Sequence, residues 1–175
     1  QGGEGSGVYP VRHRKELAGA LENLASLEAA GRKGFIQQEL VDTGGRDLRV
    51  AVIGDRTGAY WRRAENPGAF ATNLAAGGRA DFDSDPRLVS AGIKAVRDFA
   101  ARGHIDLAGF DLMFERGREG AGPLFIEINW FFGRRALGGG EAYYRLLKAA
   151  ARKWLRGHGL KVGRVRSRPK FSPRD

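Results

Sequence analysis

Three oxygen-bearing side chains in the second half of the sequence have the types and spacing of a divalent-cation site. Asp111 lies in the apolar run around 109–112, and Glu127 and Asn129 lie in the next apolar run at 125–130. Because side chains alternate along a strand, Glu127 and Asn129 are expected to share a face. Carboxylate and carbonyl oxygens at about 2.0–2.1 Å are the ligands that Mg²⁺ prefers in proteins.

A polar, glycine-rich segment at 115–123 joins the two runs, which indicates a β-hairpin. A turn centred near Glu119 places Asp111 opposite Glu127 and brings the three oxygen donors onto one surface. The alternative is that all three are ordinary solvent-facing residues of the hairpin. The apolar residues around them favour the metal site, because a carboxylate inside such strands is costly to bury unless it is paired or metal-bound.

The composition excludes several classes of protein. The length of 175 residues suggests one domain, and the absence of cysteine excludes disulfides and thiolate catalysis. The three histidines are far apart and lack zinc-ligand spacing. No signal peptide is visible in these residues and no apolar run approaches the ~20 residues of a membrane span, so we expect a cytoplasmic location and no membrane partner.

The net charge of +10 is unevenly distributed along the chain. Residues 161–175 hold six basic residues, one acidic residue and two prolines, which is typical of a disordered segment. We therefore predict a domain at 1–157 and a basic, disordered tail at 158–175. Such a tail either keeps the protein soluble or holds nucleic acid nonspecifically through its phosphates.

Hydrophobic periodicity and turn residues predict a mixed order of helices and strands. We predict helices at 14–30, 86–102 and 141–156, with Asp85 as the N-cap of the second helix. We predict strands at 35–41, 47–53 and 58–63, a turn at 54–57, an irregular stretch at 64–84, and the hairpin described above. Mainly antiparallel pairing with flanking helices gives an α+β fold class.

Five segments in this order resemble the ATP-grasp fold of the RimK-like and glutathione-synthetase-like carboxylate–amine ligases. The segments are 47–50, 61–64, 72–78, 108–112 and 127–129, and the resemblance extends over residues 2–155. It implies an ATP-grasp sheet with flanking helices, incomplete at the N-terminal end. It also implies ATP and Mg²⁺ (or Mn²⁺) as cofactors and a ligase that joins a carboxylate to an amine through an acylphosphate.

The resemblance implies a role for each matching position. The metal ligands would be Asp111, Glu127 and Asn129, and the catalytic residues near the phosphates would be Arg49, Arg63 and Asn73. The nucleotide would be bound by Gly3, Gly5, Ser6 and Gly7 in a phosphate loop, and by Gln38, Glu39 and Leu40 at the adenine. Simpler interpretations stay open: a linker for the glycine segment, a surface salt bridge for Arg49 and a turn residue for Asn73.

Only one of the adjacent arginines Arg62 and Arg63 can face the site, because successive strand residues point to opposite faces. The family pattern favours Arg63. An arginine suits this place because its guanidinium is planar, always charged and able to bind two oxygens at once.

Two features depart from the family pattern. The chain begins at Gln1 inside a glycine cluster, so we expect a longer protein whose preceding residues supply a phosphate-binding lysine and an N-terminal domain. The segment 130–135 carries bulky aromatic residues and two arginines where relatives have small residues, and Arg134 and Arg135 would either hold an anionic substrate group or remain solvated.

Three functions remain in view from the sequence. The first is the ligase, with small-molecule or peptide carboxylates and amines as partners. The second is a nucleotide-binding relative that no longer ligates, and the third is a basic nucleic-acid-binding protein that acts through its tail. Oligomerisation stays open.

Overall fold

The computed structural model describes residues 8–64 and 78–163. Within these residues the chain forms three α-helices and an antiparallel sheet with the strand order β3-β2-β1-β4-β5, which confirms the predicted α+β class. The helices are α1 (Arg14–Ala29), α2 (Pro86–Gly103) and α3 (Gly139–Gly157). The strands are β1 (Arg46–Ile53), β2 (Arg56–Arg63), β3 (Arg79–Asp81), β4 (Leu107–Met113) and β5 (Leu124–Asn129).

One face of the sheet is covered by α2. Alternate apolar residues of β1 and β4 point toward this helix and pack against its Val96 and Ala100. Burying these side chains removes apolar surface from water and supplies the main core of the molecule. The buried residues of this core are Leu48, Val50, Val52, Trp61, Val96, Ala100, Ala108, Phe110, Leu112 and Phe114.

The opposite face of the sheet is covered at one end by α3. Ala51 and Ile53 of β1 pack there against Phe132 and Tyr143, with Leu137, Leu146, Leu147 and Ala150 partly buried around them. The sheet therefore lies between two helices, and α3 leaves the Asp47 end of β1 outside its apolar contact.

The turn between β1 and β2 fixes how the two strands pair. It consists of Gly54 and Asp55, since Ile53 pairs with Arg56, and is therefore shorter than the four residues predicted. Gly54 has a φ of +60°, and a Cβ there would lie 2.7 Å from the Cβ of Ala150. Only glycine fits both conditions, so this turn sets the register of β1 and β2 and the seating of α3.

Two predicted elements are wrong. Residues 35–41 form no strand, and Phe35 and Ile36 are 63% and 87% exposed. A strand needs a neighbour to hydrogen-bond with, and the described residues provide none for this segment. The stretch predicted as irregular contains β3, a three-residue edge strand whose pairing with β2 leaves no periodic signal in the sequence. Of that stretch, 65–77 lies outside the described residues.

The start of α2 agrees with the prediction in position but not in chemistry. The helix begins at Pro86, whose missing N–H costs nothing at the first position. Asp85 makes no side-chain capping bond, because its carboxylate pairs with Arg46 of β1. This aspartate therefore ties the helix start to the sheet rather than capping the helix.

Helix α1 contains no buried residue. In the part of the chain that the structure describes, no helix is long and apolar enough to cross a bilayer. The cytoplasmic location and the division at 157/158 stay predictions, and residues 164–175 of the predicted tail lie outside the described residues.

Candidate active site

The face of the sheet opposite α2, which we call the site face, collects the polar residues of four neighbouring strands. Strand alternation turns alternate residues of each strand to this face. The direct pairs are Asp47 with Arg62, Arg49 with Tyr60 and with Asp111, and Asp111 with Glu127. The prediction that Asp111 lies opposite Glu127 is confirmed, and Asn129 follows two residues later, opposite Gly109.

Four of these residues form a buried group of charges, which we call the ionic cluster: Asp47, Arg49, Arg62 and Asp111. They are 5%, 7%, 8% and 7% exposed. Arg49 donates from Nε to Oδ1 of Asp111 and from Nη2 to Oδ2 at 3.0 Å. Arg62 joins the two aspartates, with its Nε 2.5 Å from Oδ1 of Asp47 and its Nη2 3.0 Å from Oδ2 of Asp111.

The charges of the ionic cluster balance, since it contains two guanidinium groups and two carboxylates. Such balance is what allows charged groups to be buried, because an unpaired charge in the interior costs several kcal/mol. The surface salt bridge that the sequence left open for Arg49 is therefore not what the structure has. Its partner is Asp111, and the pair is buried.

The protonation behaviour of the site face follows from this arrangement. Burial alone would lower the pKa of Arg62, but the hydrogen bond and charge of Asp47, with those of Asp111, outweigh burial and raise it. Burial raises the pKa of Tyr60, and the positive charges of Arg49 and Arg62 offset part of that rise. Arg62 stays charged and Tyr60 stays neutral at ordinary pH.

The other predicted metal ligands are more accessible than Asp111. Glu127 is exposed and Asn129 is partly exposed, and both are on the site face with Asp111. Among the described residues no group of three or more histidine, cysteine, aspartate or glutamate side chains gathers as a metal site. Two carboxylates and one carboxamide nevertheless fit a hard cation such as Mg²⁺, which takes few protein ligands and completes its shell with phosphates and water.

The segment after β5 packs at the other end of the site face. Phe132 lies over Gly109, where a Cβ would come within 3.0 Å of the phenylalanine ring, and it meets Tyr143 edge-on at 6.0 Å. The Arg134 guanidinium lies 4.9 and 5.0 Å from the ring centres of Tyr143 and Tyr144 and donates to the Tyr144 hydroxyl at 2.8 Å. Arg134 is therefore held by aromatic rings and is not merely a solvated charge.

A family model described as the RimK-like ATP-grasp domain matches residues 1–137. The chain belongs to this family. The match includes all strands of the sheet and every residue of the ionic cluster. The predicted membership of the ATP-grasp superfamily is thereby confirmed, and the antiparallel sheet with flanking helices is consistent with part of an ATP-grasp fold.

Relatives from several bacteria carry names that agree with this family. The chain is 32% identical over 130 residues to a protein of Hahella chejuensis (strain KCTC 2396) named probable alpha-L-glutamate ligase 1, covering 74% of the chain and 39% of that relative. It is 33% identical over 131 residues to the probable alpha-L-glutamate ligase of Xanthomonas campestris pv. campestris (strain B100), covering 74% and 41%. The chain thus spans about two fifths of the length of these ATP-grasp relatives.

The structure corrects the choice between the two adjacent arginines. Arg62 is on the site face and contacts Asp111, whereas Arg63 is on the α2 face and donates from Nε to Oδ2 of Asp81 at 2.7 Å. The family pattern favoured Arg63, but the alternation of β2 turns it away from the predicted metal ligands. Of the two adjacent arginines, Arg62 is therefore the one that faces Asp111.

Of the remaining predicted residues, the structure describes three, and none of these three belongs to a strand of the sheet. Gln38, Glu39 and Leu40 are exposed in a segment without strand pairing, so the predicted hinge strand is wrong, while their proposed contact with adenine is untested. The predicted phosphate-loop residues Gly3, Gly5, Ser6 and Gly7, and the predicted catalytic Asn73, lie outside the described residues.

Sequence reasoning missed three residues of the site face: Asp47 and Arg62 as cluster members, and Tyr60 as their neighbour. The signal was present in the β1–β2 hairpin. Any turn with an even number of residues pairs odd-numbered residues of β1 with even-numbered residues of β2, and paired residues share a face. That rule alone puts Arg62 beside Asp47 and Arg49.

Proposed function

We propose that this protein is an ATP- and Mg²⁺-dependent ligase that joins a carboxylate to an amine through an acylphosphate, with L-glutamate as one of the two substrates. The observation that carries the proposal is the pairing of Asp111 with Glu127 beside two buried arginines. The family match over residues 1–137 and the names of the relatives support it.

The proposed roles follow from charge and position. Asp111, Glu127 and Asn129 would hold Mg²⁺ or Mn²⁺, and Arg49 and Arg62 would face the nucleotide phosphates. Arg63 is kept in the proposal only as an indirect contributor, since it is on the other face. Gly3, Gly5, Ser6, Gly7, Gln38, Glu39 and Leu40 remain the proposed nucleotide contacts, and Asn73 a proposed catalytic residue.

The proposed reaction requires this chain to position the substrates and to supply charged side chains. It requires no nucleophile from the protein. Bound Mg-ATP supplies a transferable γ-phosphoryl group whose charge the metal partly neutralises. In the proposed reaction a substrate carboxylate oxygen takes up that group and ADP leaves, giving the acylphosphate. The amine nitrogen then attacks the acyl carbon, phosphate leaves and the nitrogen loses a proton. Fixed guanidinium groups in a water-poor site stabilise the negative charge that builds up on the transferring group.

The test is a calorimetric titration with a non-hydrolysable ATP analogue, with and without Mg²⁺, together with an assay of ADP release. We expect metal-dependent binding, and ADP release that rises when L-glutamate and an acceptor are both supplied. The variant Asp111→Asn/Glu127→Gln should lose both properties. Its matched control is Glu22→Gln/Asp98→Asn, which removes the same charges from exposed positions of α1 and α2, outside the sheet, and should keep both.

The possible results separate the three functions. Metal-dependent binding without ADP release on any carboxylate–amine pair would leave the non-catalytic nucleotide-binding relative. Retained binding and turnover in the double variant would refute the proposed metal site. Absence of nucleotide binding, combined with salt-sensitive binding of nucleic acid, would favour the basic-tail function.

A further inference from the structure

The two carboxylates that face each other across β4 and β5 are in opposite situations. Both oxygens of Asp111 accept hydrogen bonds or ion pairs, from Arg49 and from Arg62. The carboxylate of Glu127 is exposed and has no ion pair with any described residue. One of the two proposed acidic metal ligands is therefore open to a cation, and the other is fully engaged by arginines.

Releasing Asp111 to a cation would disturb the balance of the ionic cluster. Arg49 and Arg62 would keep only Asp47 as a carboxylate partner, in a region where each cluster residue is no more than 8% exposed. A buried guanidinium without a counter-ion is strongly unfavourable. A cation alone must therefore overcome this penalty before it can use Asp111.

An anion with several charged oxygens removes the penalty. The planar guanidinium groups of Arg49 and Arg62 can bind phosphate oxygens with the same paired hydrogen bonds that they now make to Asp111. Phosphate would replace Asp111 as their counter-ion, and Asp111 would become available to the metal. Each ligand then lowers the cost of binding the other, and this coupling is reciprocal.

We propose that Arg49 and Arg62 act as a clamp on Asp111, so that a divalent cation gains this ligand only when nucleotide phosphates draw the arginines away. The proposal rests on the proposed function, because it concerns the same metal ligands. It assigns Arg62 as a positioning residue that controls metal access and makes the order of binding a property of the ionic cluster. Opening the clamp by mutation should therefore create a better cation site in the absence of nucleotide.

The test measures Mn²⁺ binding without nucleotide, from the loss of the free-Mn²⁺ signal in electron paramagnetic resonance. We expect weak binding to the unaltered protein and at least tenfold tighter binding to the Arg62→Gln variant. Arg46→Gln is the matched control, since it removes another β1–β2 arginine paired with an aspartate, but on the α2 face. Arg46→Gln should bind Mn²⁺ as the unaltered protein does.

A second variant guards against a trivial effect of charge and against misfolding. Asp47→Asn/Arg62→Gln leaves the net charge unchanged and removes both partners of one buried pair, and it should also bind Mn²⁺ more tightly. A thermal melt of each variant verifies that it is folded. The arginine clamp is overturned if folded Arg62→Gln and the double variant bind Mn²⁺ no more tightly than the unaltered protein.

The failure of this proposal is distinguishable from the failure of the proposed function. If the unaltered protein binds no nucleotide analogue with Mg²⁺ in the calorimeter, the ligase proposal fails. The Mn²⁺ titrations, which contain no nucleotide, still test the arginine clamp in that case. If nucleotide binds but Mn²⁺ affinity does not change in the Arg62 variants, only the clamp fails.

Discussion

The two faces of the central sheet are made by the same strands but are built from different interactions. Phe110 and Asp111 are neighbours in β4, and each is at most 7% exposed. Phe110 points into the apolar core under α2, where its ring meets Phe99 edge-on at 6.0 Å. Asp111 points the other way, into the ionic cluster. Alternation along one strand thus separates a residue that stabilises the fold from a residue suited to chemistry.

The two faces differ in how completely a helix covers them, and this difference decides where the molecule can hold a polar network. The α2 face is closed by a long amphipathic helix, so its interior can be wholly apolar. The site face is closed by α3 only around Ala51 and Ile53, and the buried charges begin where that apolar contact ends. A ligand that carries charge would be met on the face where the protein has already gathered charges.

The largest loss of folding stability is expected from removing a buried side chain from the α2 face. Phe110→Ala removes a fully buried ring, and we expect it to lower the free energy of unfolding by about 3–5 kcal/mol. Urea denaturation followed by circular dichroism measures this loss. At low denaturant the folded fraction should still bind the ATP analogue, because the altered side chain is on the opposite face. Lost binding in the folded variant would break the separation of the two faces.

The next largest loss of folding stability is expected from disrupting the buried charges of the site face. Arg62→Gln leaves Asp47 and Asp111 short of a partner, and we expect it to destabilise the protein by about 3 kcal/mol. Asp47→Asn combined with Arg62→Gln should cost less than the sum of the single changes, with a coupling of about 1–3 kcal/mol. Denaturation of the four proteins of this double-mutant cycle gives the coupling. A value near zero would contradict an ion pair that behaves as buried.

Local features explain why part of the site was predictable from the sequence. The facing of Asp111 and Glu127 is predicted by two apolar runs, a polar glycine-rich connector and strand alternation. The structure adds an irregularity between Asp111 and Leu112, where β5 contains an extra residue. The irregularity lies between Asp111 and the connector, so without the extra residue of β5 Asp111 would lie opposite Ile126. The predicted facing of Asp111 and Glu127 is confirmed, but it depends on an irregularity that strand alternation alone does not supply.

Features that depend on distant partners were not predictable in the same way. The segment at 35–41 has the residue types of a strand, but strand formation depends on a neighbour with free backbone groups, which no local pattern reveals. The alternation rule indicates Arg62 and the family pattern indicates Arg63, and the pairing of β1 with β2 decides for Arg62. The burial of Asp47 could not be inferred, because it depends on how four strands close together.

A smaller loss of folding stability is expected from overpacking the contact between α2 and the sheet. A Cβ at Gly92 would lie 2.5 Å from Cδ2 of Leu48 and 3.2 Å from Cδ1 of Leu112, so the helix must shift or the leucines must move. We expect Gly92→Ala to destabilise the protein by about 1–3 kcal/mol, although alanine favours helices. Thermal melts compared with Gly19→Ala, a helical glycine with open space around it, measure the difference. Equal stability of the two variants would show that this contact is looser than the structure indicates.

The smallest loss of folding stability is expected from removing a charge on the α2 face, which tests whether charge there contributes to stability as it does on the site face. The pKa of the Asp81 carboxyl lies well below its usual range, because the Ser84 hydroxyl and amide and the Arg63 guanidinium donate hydrogen bonds to it. A lowered pKa stabilises the folded state above the ordinary aspartate value of 3.8, and this stabilisation is lost as the pH falls below it. Since the Arg63 side chain is 40% exposed, the contribution should stay below about 1 kcal/mol. We expect Asp81→Asn to be slightly less stable than the unaltered protein at pH 7, and the difference to shrink as the pH is lowered toward 2.5 in parallel urea titrations. A difference that grows on acidification would reverse the sign of the argument and would mean that Asp81 is better accommodated protonated than charged.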